Sequence, residues 1–177
     1  KKGKDYSPIP IGIENLRYQI NGVLKDFNIE TPLRKQNYIA SSFSTITNKK
    51  IRENLNSVLL GNENIKTISS SNHKEYILSL SEYMFNLCPE GNGHDTHRIW
   101  ESLLVRTIPI VVKSEFTQNL VTLNFPILLL NNWEDLNEIS KKELEAIYKN
   151  ELKMKNFNDV VTFDYWKNII NRKKISI

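Results

Sequence analysis

The chain has 177 residues, 40% hydrophobic and 25% charged, which is one ordinary globular domain with room for part of a second. That composition excludes a disordered chain, a collagen and a disulfide scaffold. The formal charge of +4 admits anionic partners, but the lysines are dispersed and no nucleic-acid partner is expected.

Residues 1–35 read as irregular. Pro8 and Pro10 bracket Ile9, and Ile11-Gly12-Ile13 follows as a short strand ending in a turn. A loop or short helix around Leu16–Leu24 ends near Thr31-Pro32. From residue 36 strands alternate with helices. Tyr38–Phe43 is the first strand. Thr47 or Asn48 caps a helix with Ile51, Leu55, Val58 and Leu59 on one face, stopped by Gly61-Asn62. Ile65–Ser69 is a second strand. Asn72 and Glu75 have capping-box spacing, before a helix with Tyr76, Ile77 and Leu80. Met84–Cys88 is a buried strand ended by Pro89. Gly91-Asn92-Gly93 is a loop, and Asp95 or Thr96 caps a helix with Ile99, Trp100, Leu103 and Leu104. Ile108–Val112 and Ile127–Leu130 are strands separated by a short helix near Glu115–Leu120. A second capping box, Ser140 and Glu143, opens a helix with Leu144, Ile147, Tyr148 and Leu152. A last helix carries Phe163, Trp166, Ile169 and Ile170, and its basic Arg172-Lys173-Lys174 is a solvated tail or a helix C-terminal cap.

Short β-branched strands between amphipathic helices imply right-handed βαβ units and an α/β, doubly wound, Rossmann-like parallel sheet of five strands with a helical C-terminus. The order 3-2-1-4-5 is expected. Ligands of such sheets bind outside the carboxyl ends of the strands, at the switch point. That order puts the crevice between strand one and strand four.

The apolar runs Ile108–Val112 and Phe125–Leu130 are too short for a bilayer, so no transmembrane segment is expected. The single Cys88 forbids an internal disulfide and suggests a reducing compartment. With no signal peptide or Asn-x-Ser/Thr sequon, the expectation is the cytoplasm or the cytosolic side of a membrane. The start Lys1-Lys2-Gly3 suggests a chain processed, tagged or cut from something longer.

The most polar loops are Ser44-Thr45-Ile46-Thr47-Asn48 and Pro89-Glu90-Gly91-Asn92-Gly93-His94-Asp95-Thr96. The second runs straight into a helix, whose glycines admit a ligand close to the backbone and whose free N–H groups suit a phosphate. Arg98 in the first turn opposes the helix dipole. Either it binds a diphosphate through its guanidinium fork, or it pairs with Asp95 or Glu101 at i, i+3 spacing. Glu101, one turn on, can accept two ribose hydroxyls or be a surface acid. No G-x-G-x-x-G or P-loop sequence is present, which removes the dinucleotide oxidoreductase and P-loop NTPase classes. His94, His97, Asp95 and Cys88 match no zinc spacing, so no metal is expected. Cys88 reads as a buried inert thiol, and Trp100, Trp133 and Trp166 as core or edge aromatics.

The stretch Phe85-Asn86-Leu87-Cys88-Pro89-Glu90-Gly91-Asn92-Gly93-His94-Asp95-Thr96-His97-Arg98-Ile99-Trp100-Glu101-Ser102-Leu103 resembles the donor-site signature of exostosin-like glycosyltransferases, whose architecture is the two-lobed, metal-independent GT-B type. Ile108-Pro109-Ile110-Val111-Val112, Pro126–Leu130 before Trp133-Glu134, Pro10–Asn15 and Phe43–Asn48 with Arg52 resemble further segments of those proteins. The resemblance spans about residues 8–136. Arg106-Thr107 stands where relatives have a small residue and glycine.

The resemblance implies a donor-binding domain over 36–177, with 1–35 a linker or remnant of an N-terminal acceptor lobe that the chain otherwise lacks. It implies transfer from a nucleotide-diphosphate sugar to a glycan or other hydroxyl acceptor in glycan biosynthesis, by a hexosyl- or pentosyltransferase. The reaction would invert the anomeric carbon, need no metal or other cofactor, and run slowly or not at all in an isolated fragment. The implied nucleotide-sugar residues are Glu90, Gly91, Asn92, Gly93, Asp95, Thr96, His97, Arg98 at the diphosphate and Glu101 at the ribose. Ser44, Thr47, Asn48 and Arg52 form a second anion-binding element. The catalytic residue is not identified; Asp5 and Glu14 are the first candidates for a base. The alternative is a nucleotide- or sugar-binding module without catalysis. A receiver domain would need acidic residues after the first strand, where this chain has Ser, Thr and Asn.

Overall fold

A computed structural model describes residues 9–13, 23–30, 35–154, 157 and 161–174. The strands are β1 (Asn37–Ser41), β2 (Ile65–Thr67), β3 (Tyr83–Leu87), β4 (Ile108–Val112) and β5 (Leu128–Leu130). The helices are α1 (Lys49–Val58), α2 (His73–Ser81), α3 (His97–Leu104), α4 (Glu115–Thr122), α5 (Lys141–Met154) and α6 (Phe163–Lys174). Two 3₁₀ turns, Leu24–Phe27 and Trp133–Glu138, are additional.

All four strand pairings are parallel, so the α/β doubly wound sheet is as expected. Its order is not: the strands run β2-β1-β3-β4-β5, not 3-2-1-4-5. The reason lies in what each strand can bury. Ile65-Lys66-Thr67 has two exposed residues and belongs at an edge, whereas four of the five residues of β3 are buried and need neighbours on both sides. The chain therefore returns through α2 across β1 to make β3 central. Right-handed crossovers in opposite directions place α1 on one face of the sheet and α2, α3 and α4 on the other. The switch point moves to β1/β3.

Periodicity gave the helices, and capping bonds fix their starts. Asn72 Oδ1 accepts the Glu75 N–H at 3.0 Å, while the Glu75 carboxylate takes the N–H and hydroxyl of Ser71 rather than the N–H of Asn72. Ser140 and Glu143 form the expected reciprocal pair before α5. Helix α3 ends in a Schellman pattern. Thr107 N–H donates to Ser102 O and Arg106 N–H to Leu103 O, with Arg106 at φ 56°.

The core is mainly one cluster around Ile39, Leu55, Phe85, Ile99, Leu103, Ile108 and Ile110. Trp100, Phe125 and Trp166 join α3 and α6, with ring centroids 5.7–6.2 Å apart, each pair adding roughly 0.5–1.5 kcal/mol beyond its buried area. All three tryptophans are buried. Helix α6 rests on Trp166, but Phe163 points outward at 79% exposure, so the expected apolar face is narrower than its sequence pattern. A second cluster, Ala40, Ile77, Leu80, Tyr83 and Val105, lies under α2.

Residues 9–13 form no strand, contrary to expectation. They lie irregularly over the start of α3, where Ile11 N–H donates to Asp95 and Gly12 O meets the His97 ring. The Thr31-Pro32 boundary, most of the 16–24 segment, and Asp5 and Glu14 lie outside the described residues.

Candidate functional site

A cleft of about 780 Å³ opens at the carboxyl ends of β1 and β2, against the first turns of α2 and α3. Ser42, just past β1, is its hub. Arg98 reaches from α3 and donates Nε and Nη2 to Ser42 O at 3.2 and 3.0 Å. It pairs with neither Asp95 nor Glu101, so the ion-pair reading of Arg98 is set aside. Nη1 takes no part in these two bonds, and Arg98 lines the cleft. The Ser42 hydroxyl donates to Asn86 Oδ1, and Asn86 Nδ2 to Ser102 Oγ. This buried polar chain ties β1, β3 and α3 together beneath the cleft floor.

Glu101 lines the same cleft at 7% exposure. A helix acid so buried needs partners. The Tyr76 hydroxyl donates to Oε2 at 3.3 Å, and His73 Nε2 faces Oε1 at 3.7 Å. The far nitrogen of that ring, Nδ1, meets Asp26 Oδ2 at 3.2 Å. Burial works against the His73 imidazolium, but the carboxylates of Glu101 and Asp26 outweigh it and raise the pKa above the ordinary value. Burial first, and then Glu101, raises the Tyr76 hydroxyl far above the usual phenol range.

The two polar loops interlock beside this cleft. Arg52, 3% exposed, donates to the carbonyls of Ser44 at 2.7 Å, Glu90 at 3.1 Å and Pro89 at 3.4 Å. Its guanidinium is spent on the main chain and staples the loop after β1 to the loop after β3. Asn48, at φ 52°, donates Nδ2 to Gly91 O, and Ser44 Oγ accepts the Ile46 N–H. A Cβ at Gly91 would crowd Arg52 Nη2 at 3.3 Å, so the guanidinium would have to give by a few tenths of an ångström, and would meet Thr47 and Thr96 in ordinary contact at 3.6 and 3.7 Å. Gly93 is unobstructed.

Asp95 does not cap α3. Its carboxylate accepts the Trp100 indole N–H and the Ile11 N–H, both at 2.7 Å, and burial raises its pKa. Thr96 holds the N-cap position without a side-chain cap bond, and its hydroxyl oxygen is buried and unpartnered. His94 pairs with Glu90 at 2.6 Å, bordering a separate 250 Å³ hollow over the ends of β3 to β5. The expected residues are thus divided. Arg98, Glu101 and His97 share the large cleft, Glu90 borders the small one beside His94, which was not among them, and Ser44, Thr47, Asn48, Arg52 and Gly91 meet where the two loops interlock. Among the described residues no group of three or more His, Cys, Asp or Glu side chains is arranged to hold a metal ion. Cys88 is buried and its thiol is pushed up to about 12 by burial.

Sequence reading passed over Ser42, Tyr76 as a polar group, His73 and Asp26. The one local signal was Ser69-Ser70-Ser71 before the Asn72 cap, a polar loop that forms the far wall of the cleft.

A five-stranded parallel sheet, wound on both faces and with a polar cleft at its switch point, is a Rossmann-like α/β domain. Residues 24–177 match the model of the RXYLT1 C-terminal domain family. The chain belongs to that family and is a glycosyltransferase-like C-terminal domain. No curated protein matches it. Among the described residues no helix is long and apolar enough to cross a membrane.

Proposed function

We propose that this domain binds a nucleotide-diphosphate sugar and serves its transfer, with inversion, to a glycan or other hydroxyl acceptor. The observation that carries the reading is that one helix turn presents Arg98 and Glu101 to the same switch-point cleft. Glu101 accepts the ribose hydroxyls. The α3 N-terminus, with the Arg98 guanidinium, receives the diphosphate. Positive charge from the helix end and the guanidinium stabilises the leaving diphosphate in place of a metal. EDTA therefore leaves affinity unchanged.

Calorimetry with UDP, uridine and 2′,3′-dideoxy-UDP, and with the guanosine series, tests the assignment. Arg98→Ala removes a charge-assisted contact of roughly 1.5–3 kcal/mol, about 10- to 150-fold in affinity, for the diphosphate and not for the nucleoside. Glu101→Ala weakens nucleoside and diphosphate alike and spares the dideoxy analogue. Unchanged diphosphate affinity in a folded Arg98→Ala variant would sink the reading.

A further inference from the structure

The Asp26–His73–Glu101 row is not explained by packing. His73 lines the cleft with its side chain only 5% exposed, and its buried Nε2 makes no hydrogen bond but faces Glu101 Oε1 at 3.7 Å. A buried ring nitrogen left without a partner costs free energy unless something in the cleft uses the arrangement. Its other nitrogen is fixed. Nδ1–H donates to Asp26, which the 24–27 turn brings to the start of α2, with the Phe27 ring edge-on to the imidazole at 5.5 Å between centroids. With that tautomer set, the state of Nε2 decides what Glu101 feels. A protonated Nε2 draws Oε1 towards it. A bare Nε2 turns its lone pair on the carboxylate and pushes it away.

We propose that His73, held through Nδ1 by Asp26, is the positioning residue that sets the Glu101 carboxylate for a vicinal diol. This rests on the reading of Glu101 as the ribose acceptor. Tyr76 fixes Oε2 and His73 steers Oε1, so one lone pair on each oxygen faces the cleft and accepts one of two adjacent hydroxyls. Residues 24–27, far from the glycine loop in sequence, thereby contribute to the site through His73 rather than by contact.

The charged and titratable groups around the ring are Asp26 from the 24–27 turn, Glu101 and Arg98 from α3, and Tyr76 from its own helix, with His97 across the cleft. The two carboxylates raise the His73 pKa, so the proton is present below that pKa and lost as pH rises through it. Diol recognition weakens in the same direction.

The experiment measures the affinity ratio of UDP to 2′,3′-dideoxy-UDP, and of GDP to its dideoxy analogue, by calorimetry from pH 6.0 to 8.5. The ratio cancels titration of the phosphates, which both ligands share. In the wild type the ratio falls about 2- to 12-fold with rising pH, the worth of one hydrogen bond. His73→Gln, which donates without titrating, gives a flat ratio. Asp26→Asn moves the fall to lower pH. Imidazole ¹⁵N spectra of the wild type give a second readout that no variant has to fold for. UDP or GDP raises the His73 pKa and the dideoxy analogue does not, by reciprocity of the linkage. Binding with a pH-independent ratio, or a His73 titration that the nucleotide leaves unmoved, overturns the proposal and leaves the reading of the cleft standing. No binding of either diphosphate removes that reading and the proposal with it.

Discussion

Lys35 offers the sharpest test of the fold's electrostatics. It is 3% exposed, and its Nζ donates to Val105 O and Thr107 Oγ1, both at 2.8 Å. A neutral amine has two N–H groups and both are used; the third proton of an ammonium would be stranded in the protein interior. Burial, and secondarily the Arg106 charge, lowers its pKa to about 6 from 10.5. Between those values the unfolded chain carries a proton that the folded chain does not. Stability therefore rises with pH, at up to about 1.4 kcal/mol per unit, or roughly 2.7 kcal/mol from pH 6.5 to 8.5. Lys35→Met fills similar volume and cannot titrate. It leaves the Val105 carbonyl without its donor at a cost of roughly 1–3 kcal/mol. The variant is thus less stable than the wild type at pH 8.5, and the gap closes or reverses at pH 6.5. Titration of His73 acts with the opposite sign but is common to both proteins and drops out of the difference. Urea unfolding followed by the buried tryptophans measures it. A difference constant within about 0.5 kcal/mol over this range, well below the expected linkage, would refute the neutral amine.

Arg52→Met should separate the two polar loops. Losing a buried guanidinium from three carbonyls lowers stability by about 3 kcal/mol, on the scale of charged hydrogen bonds, and weakens nucleotide binding although Arg52 touches no part of the cleft; unaltered thermal unfolding would show the staple to be idle. Arg106→Gly should stabilise the domain by about 1 kcal/mol, because a left-handed φ suits glycine. A rise of roughly 2–4 °C in Tm checks it. The same change removes the charge beside Lys35, so the pH-dependent gain in stability begins at higher pH.

Much of the secondary structure was legible because its causes are local. Ile108–Val112 is a strand in both readings, since five apolar residues after a helix stop have few other uses, and the Ser140–Glu143 box marks the start of α5 within one turn. The Schellman end of α3 is local in the same way, with Arg106 at a left-handed φ of 56°. Strand order is not a local property. It depends on which strand tolerates an edge, and the polar Ile65-Lys66-Thr67 held that information without any periodic pattern to announce it.

The site divides along the same line. That Arg98 and Glu101 share a helix face follows from their spacing. That they do not pair follows only from the Ser42 carbonyl, 56 residues from Arg98 in the chain. The resemblance implies Arg52 in an anion-binding element, and a lone arginine beside a polar loop carries no sign of the three carbonyls that hold it here. Asp26 and His73 lie 47 residues apart, and nothing in either stretch marks them as partners. Glu101 is buried beside them, with the Tyr76 hydroxyl as its donor and the His73 ring at 3.7 Å. The buried acid of α3 therefore requires α2 to begin where Asn72 caps it and the 24–27 turn to sit beneath it. If either is displaced, Glu101 loses the neighbours that hold it in the cleft wall.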